Sequence, residues 1–228
     1  MKKYEIFLFD ADDTLFDYDL AERNALKTMF EYCGFNYSEN VLAMYREINS
    51  EVWKDYDNGN ISKEELQPLR FQKLFKKIGV NYDTDIFNEK YLVEVGKGGY
   101  LIDGALEICK KINSCNKKLY IVSNGVLLTQ KTRIEYSAIR EYITDFFVSE
   151  FVGYQKPNKL YFDYVFSHIP KIEKDKIIII GDNLLHDIAG GINAGIDTCW
   201  FNKSGSVNDT EIKPTYEIKD LKELNVFV

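Results

Sequence analysis

Asp10 and Asp12 stand two residues apart directly behind a short apolar run, Ile6-Phe7-Leu8-Phe9, in the stretch Phe9-Asp10-Ala11-Asp12-Asp13-Thr14-Leu15. An apolar run of this length reads as a buried strand. Two carboxylates that follow it closely can divide the labour of a displacement reaction: one binds a metal and attacks, the other carries a proton. Further candidates fall just after or close beyond other apolar segments. They are Ser123, with Asn124 and Gly125 behind it; Lys156 before Pro157; and Asp182 with Asp187. Singly, each has an ordinary explanation. Short acids favour turns, Ser-Asn-Gly opens loops, lysines are mostly exposed, and Gly-Asp-Asn suits a helix cap. Together and in this order, acid pair, hydroxyl, lysine and second acid pair form a set that chance does not readily assemble.

The elements that must position these groups follow from periodicity. After residue 100 strands and helices alternate. A helix spans about Gly104 to Ile112. A strand Leu119–Val122 runs into Ser123, and a helix spans about Leu127 to Tyr136. A short strand Phe146–Val148 is followed by a helix Leu160–Ser167. The strongest strand, Ile177–Ile180, ends at Gly181-Asp182. A helix lies near Asp187 to Ala194, then a strand Thr198–Phe201 and a further one at Tyr216–Ile218. Alternating elements with continuously apolar strands predict an α/β fold with a doubly wound parallel sheet, in which ligands sit beyond the carboxyl ends of the strands.

Residues 19 to 95 differ. Asp19 is expected to cap a helix through Leu20, Leu26, Met29, Phe30 and Cys33, stopped by Gly34. Ser38 opens a second, with Leu42, Tyr45, Ile48 and Val52. Ser62-Lys63-Glu64-Glu65 is a capping box ahead of Leu66, Leu69 and Leu74, and Thr84 starts a fourth through Tyr91 and Val95. With no strand between them, these helices read as an insertion after the first strand. The expected division is a core of residues 1–16 and 97–228 with an inserted helical cap of 17–96.

The 228 residues suffice for one domain with such an insertion. A net charge of -7, spread along the chain, argues against nucleic acid or an anionic membrane surface as partner. An acidic protein can still take a phosphorylated small molecule if a metal and a lysine offset charge locally. Cys33, Cys109, Cys115 and Cys199 lack C-x-x-C spacing and are expected as buried reduced thiols. The apolar run behind Lys2 and Lys3 is too short for a signal peptide or membrane span, so the expected compartment is the cytoplasm. His168 and His186 have no metal-ligand partner at useful spacing and are read as bystanders.

The chain resembles the haloacid dehalogenase-type phosphohydrolases. Their D-x-D-x-T motif matches Asp10-Ala11-Asp12-Asp13-Thr14, and their strand ending in Ser or Thr matches Ser123. Their lysine before proline matches Gln155-Lys156-Pro157, and G-D-x-x-x-x-D matches Gly181 through Asp187. The match runs in order along nearly the whole chain, and the insertion resembles the helical cap of this family's first cap class. Phe9 to Phe16, with Trp53, Tyr56, Gly59 and Arg70-Phe71, is similar to bacterial nucleotidases that clear pyrimidine and non-canonical nucleoside monophosphates. One departure is Asp103-Gly104-Ala105, where relatives often have proline before the glycine.

The resemblance implies a Mg²⁺-dependent phosphatase working through an aspartyl-phosphate. Asp10 is the implied nucleophile and Asp12 the proton donor and acceptor. The implied metal set is Asp10, Asp182, a backbone carbonyl of Asp12, and Asp187 directly or through another ligand. Lys156, Ser123 and the N–H groups of Asn124 and Gly125 are the implied phosphate anchors. Phe16, Tyr18, Trp53 and Arg70 are candidates to meet the leaving group, with Trp53 suited to stack on a base. A sugar-phosphate or phosphoglycolate-type phosphatase or a phosphomutase stays open within the superfamily. A dehalogenase would not need Asp12 and Asp182. Outside the enzymes, a phosphoacceptor signalling module shares the acids, hydroxyl and lysine, but lacks both the insertion and the acid at the Asp12 position. The expected partner is a phosphorylated small molecule, taken by a monomer or homodimer.

Overall fold

A computed structural model describes residues 2–228. The chain divides into two compact units, one formed by the residues up to Asp19 together with Gly99–Val228, the other by Leu20–Gly98.

The first unit begins with strand β1 (Ile6–Phe9). The helices of the second unit then intervene: α1 (Tyr18–Tyr32, starting in the first unit), α2 (Glu39–Asp57), α3 (Lys63–Ile78) and α4 (Thr84–Lys97). Back in the first unit come α5 (Ala105–Ser114), β2 (Lys118–Ser123), α6 (Leu127–Tyr136), β3 (Asp145–Val148), α7 (Ser149–Val152), α8 (Lys159–His168), β4 (Ile177–Gly181), α9 (Ala189–Ala194), β5 (Asp197–Phe201) and β6 (Tyr216–Ile218). The strands form one parallel sheet in the order β3-β2-β1-β4-β5-β6. The chain winds outward on one side of β1, then restarts at β4 on the other. The topological switch therefore lies between β1 and β4, and their carboxyl ends deliver Asp10 and Asp182 there.

The continuous apolar strands have a direct cause, since both sheet faces are covered. Phe7, Phe9, Leu119, Ile121, Ile178 and Ile180 point into one core with Ile108 and Ile112 of α5. Their alternating neighbours Ile6, Leu8, Tyr120, Val122, Ile177 and Ile179 point into a second, with Tyr161, Phe162 and Val165 of α8. Strand side chains alternate faces, so burial on both leaves no position for a polar residue until the strand ends.

The helical unit is organised around rings. Phe71 lies 4.7 Å from Phe87 and 5.0 Å from Tyr91, and stacks on Tyr45 at 5.4 Å. Ser38 caps α2, and Ser62 with Glu65 forms the reciprocal capping box on α3, as their sequence pattern predicts. Two expectations are corrected. Asp19 sits within the first turn of α1 rather than before it, and Leu20 is exposed rather than inward-facing. The short helix α7 was not expected. All four cysteines are free, but only Cys109 and Cys199 are buried; Cys33 and Cys115 keep partial exposure. Among the described residues no helix is long and apolar enough to cross a membrane.

Candidate active site

Lys156 is the centre of the constellation. Its ammonium donates to Asp10 Oδ1 at 2.6 Å, Asp187 Oδ1 at 2.7 Å and the Val122 carbonyl at 2.7 Å. Three acceptors satisfy its three N–H bonds, which is the condition for a lysine to be buried with its charge. Burial alone would lower its pKa, but Asp10 and Asp187 outweigh that and hold it above its ordinary value. The loop carrying Lys156 is tied to the end of β2 through Asn124. The Asn124 amide donates to the Lys156 carbonyl and accepts from the Lys156 N–H, both at 2.9 Å.

Asp187 is placed by the turn after β4. Asn183 Oδ1 accepts from the N–H groups of Leu185 and His186, opening a single wide helical turn over Leu184–Ile188. That turn brings the Asp187 carboxylate back over the strand end, where its second oxygen accepts from the Asn183 N–H at 3.1 Å. A Cβ on Gly181 would lie 2.2 Å from the Asp187 carboxyl carbon, so the strand must end in glycine for the acid to sit there. Asp182 is steadied from two sides. Thr14 Oγ1 approaches its Oδ1 at 3.4 Å, and the Trp200 indole donates to its carbonyl at 2.8 Å.

Asp10, Asp182 and Asp187 bring one carboxylate oxygen each within 4.8 Å of one another. Burial drives the Asp10 carboxyl well above its ordinary range. Lys156 opposes that, while Asp187, Asp182 and Asp12 add to it. Burial, then Asp187 and Asp13, push Asp182 up to about 7. One lysine thus leaves negative charge in excess, and the donors are all oxygens. A hard divalent cation fits such a set, and a thiophilic one does not. Of the groups Lys156 joins, Asp10 is the accessible one. Its side chain is 12% exposed against 1% for Asp187.

Asp12 is held apart from this cluster. Gln130 Nε2 donates to its Oδ2 at 2.6 Å, and Arg133 Nη1 donates to its Oδ1 in an ion pair. Neither partner was anticipated from the sequence. The available signal was helix α6, whose buried face carries Thr129, Gln130 and Arg133 beside Ile134, immediately behind the Ser123 loop. Ser123 is buried, and its Oγ accepts from the Gly125 N–H at 3.0 Å. A phosphoryl oxygen would therefore replace an existing bond rather than find the Gly125 donor waiting.

The structure brings together Asp10, Asp182, Asp187 and Lys156, with Ser123 at the end of β2 and Asn124 on the loop behind it. It does not bring all the leaving-group candidates to a ligand. Arg70 is buried inside the helical unit, donating to Asn49 Oδ1 at 3.3 Å, Asn88 Oδ1 at 2.9 Å and the Gln67 carbonyl at 3.1 Å. Its charge is used to tie α2, α3 and α4 together. Phe16 is also fully buried, packed in the core on the α5 face of the sheet. Tyr18 keeps partial exposure, its ring 5.6 Å from the Arg133 guanidinium carbon. Trp53 is half-buried, edge-on to Tyr56 at 5.7 Å, with the Lys63 ammonium 5.5 Å from its ring.

The sequence matches the Haloacid dehalogenase-like hydrolase family over residues 7–201. The chain belongs to this family. It is 41% identical over 224 residues to YfnB of Bacillus subtilis, covering 98% of this chain and 95% of that one. The crystal structure of YfnB bound to magnesium, reported to reveal interdomain movement, superposes with a TM-score of 0.91 over 98% of this chain and 97% of that one. The pyrimidine 5'-nucleotidase PynA of Streptococcus pneumoniae is 34% identical, covering 97% of this chain and 93% of its own. The pyrimidine 5'-nucleotidase YjjG of Escherichia coli is 32% identical, with 97% and 96% covered.

Proposed function

We propose that the protein is a Mg²⁺-dependent phosphatase that transfers the phosphoryl group of a monoester to Asp10 and then to water. The observation that carries this reading is Lys156 bridging Asp10 and Asp187 beside Asp182, at the switch point of the sheet. Asp10, Asp182 and the Asp12 carbonyl would hold the ion, with Asp187 behind them, and the ion would supply charge neutralisation for the incoming phosphate dianion.

Lys156 fixes Asp10 Oδ1, which leaves Oδ2 as the attacking oxygen. The Oδ2–phosphorus bond forms as the bond from phosphorus to the leaving oxygen breaks. The leaving oxygen takes the proton carried by Asp12. In the second step Asp12 takes a proton from water, whose oxygen attacks phosphorus and releases Asp10 and inorganic phosphate. Ser123 holds a phosphoryl oxygen through both steps, while the Lys156 ammonium, its three donors already taken, offsets the charge on Asp10.

For substrate, we infer a nucleoside 5'-monophosphate of the pyrimidine or non-canonical kind. The support is the identity to PynA and YjjG along nearly the whole chain. Trp53 is the proposed stacking partner of the base. The deciding experiment is phosphate release from a panel of nucleoside monophosphates and sugar phosphates, with Mg²⁺ and then with EDTA. The expected result is release that EDTA abolishes, highest for deoxypyrimidine nucleotides. Release indifferent to EDTA refutes the mechanism, and equal rates across the panel refute the nucleotide assignment. A Trp53→Ala enzyme that keeps all nucleotide preference removes the stacking role.

A further inference from the structure

We propose that Gln130 and Arg133 are positioning residues for Asp12, together aiming its carboxyl group at the leaving oxygen; the inference rests on the phosphatase reading above. The two residues stand three apart on α6 and therefore share a face. They divide Asp12 between them, the Gln130 amide on Oδ2 and the Arg133 guanidinium on Oδ1. Each carboxyl oxygen has about two lone-pair positions. The clamp occupies one on each oxygen and leaves the others for the travelling proton.

Fold stability does not explain this arrangement. Arg133 is completely buried, and its Nε and Nη2 find no acceptor; Gln130 Oε1 is likewise buried and unpartnered. The guanidinium lies under the rings of Phe16 and Tyr18, its carbon 5.4 Å and 5.6 Å from their centres. A buried cation with orphaned donors is a weak stabiliser, and a well-packed apolar side chain at the same place does as well or better. Asp12 needs such restraint. Its side chain is 28% exposed, and it precedes Asp13, whose φ is 55° in the tight turn after β1. Without partners, the carboxyl can rotate away from the site.

The loop behind β2 is shaped around the same contact. A Cβ on Gly125 would lie 2.5 Å from Gln130 Nε2, 3.1 Å from Ser123 Oγ and 3.2 Å from Asp12 Oδ2. Glycine at this position lets the phosphate-side serine and the clamped acid approach one another. Helix α6 begins two residues later, so the clamp and Ser123 move as one piece.

The test uses Arg133→Lys and Gln130→Leu, singly and combined with Asp12→Asn, each checked for folding by circular dichroism. Rates are measured with Mg²⁺ on p-nitrophenyl phosphate, whose leaving group needs no proton, and on a nucleoside 5'-monophosphate, whose leaving group does. Misplacing a reacting group by about 1 Å typically costs about 10²-fold. The expected result is a fall in kcat on the nucleotide of about 10- to 100-fold with KM little changed, a much smaller fall on the aryl ester, and no further loss once Asp12 is asparagine. Gln130→Leu leaves the buried charge pair in place, so it reports even if Arg133→Lys folds poorly. Equal losses on both esters, losses in KM alone, or losses that multiply with Asp12→Asn overturn the inference while leaving the phosphatase reading intact. A wild-type protein that releases no phosphate from either ester overturns that reading, and the inference with it.

Discussion

Replacing Lys156 with methionine removes one ammonium and strands three acceptors. Asp10 Oδ1 at 2.6 Å, Asp187 Oδ1 at 2.7 Å and the Val122 carbonyl at 2.7 Å all lose their donor in a place where Lys156 itself is 1% exposed. Methionine fills nearly the same volume, so the loss is electrostatic rather than a cavity. Removing one partner of a buried pair typically costs about 3–5 kcal/mol, and an orphaned buried carbonyl about 1–3 kcal/mol more. The terms overlap, because the two carboxylates can take up protons once the ammonium is gone, so about 4 kcal/mol is expected near neutral pH. That is a large share of the about 5–15 kcal/mol that holds an ordinary domain folded. Urea unfolding in EDTA, followed by far-UV circular dichroism, reads it directly. The penalty should shrink in acid, since Asp10 and Asp182 already titrate high and protonation substitutes for the missing cation. A loss below about 1 kcal/mol, as for an exposed ion pair, or a penalty that does not change with pH, refutes the view that Lys156 compensates this cluster.

Two further outcomes follow from the same geometry. Gly181→Ala drives a Cβ to 2.2 Å from the Asp187 carboxyl carbon. It should destabilise by about 1–3 kcal/mol or more through overpacking, and should cut phosphate release sharply because Asp187 must leave Lys156; a melt and kcat matching wild type contradict this. For pH, the folded state keeps a proton on Asp182 up to about 7, whereas the unfolded chain releases it near about 4. Between those values the unfolded state binds fewer protons, so the metal-free protein should lose stability as pH rises and level off above the folded value. The difference in stability between wild type and Asp182→Asn, measured in EDTA from acid to pH 8, should move against wild type on the way up; the opposite sign sinks the argument.

The sheet and the acid cluster are legible in the sequence because both are written in contiguous signals. Ile177–Ile180 can only be a strand buried on two faces, and an acid just beyond such a strand must lie at its carboxyl end. The clamp on Asp12 is different. Gln130 and Arg133 lie on a helix whose apolar content is enough to read as ordinary, and the partner of a buried arginine is set by tertiary contact. Arg70 shows the converse. An arginine beside Phe71 in the insertion looks like a ligand contact, yet Asn49 and Asn88, distant in sequence, take its terminal donors inside the helical unit, and Gln67 one turn back takes its Nε–H. Phe16 is similar, since its neighbour Leu101 comes from the far side of the insertion and forms a bridge with it. Long-range partners of this kind leave no local pattern to read.

The measurement nearest the centre of the account is acid quenching of the protein during turnover of a labelled phosphate monoester with Mg²⁺, followed by peptide mapping. A single acid-stable, base-labile phosphoryl adduct on Asp10 is expected, formed before free phosphate appears and absent in Asp10→Asn, which should also release none. Steady release of phosphate with no adduct, or an adduct on Ser123 in place of Asp10, would contradict it.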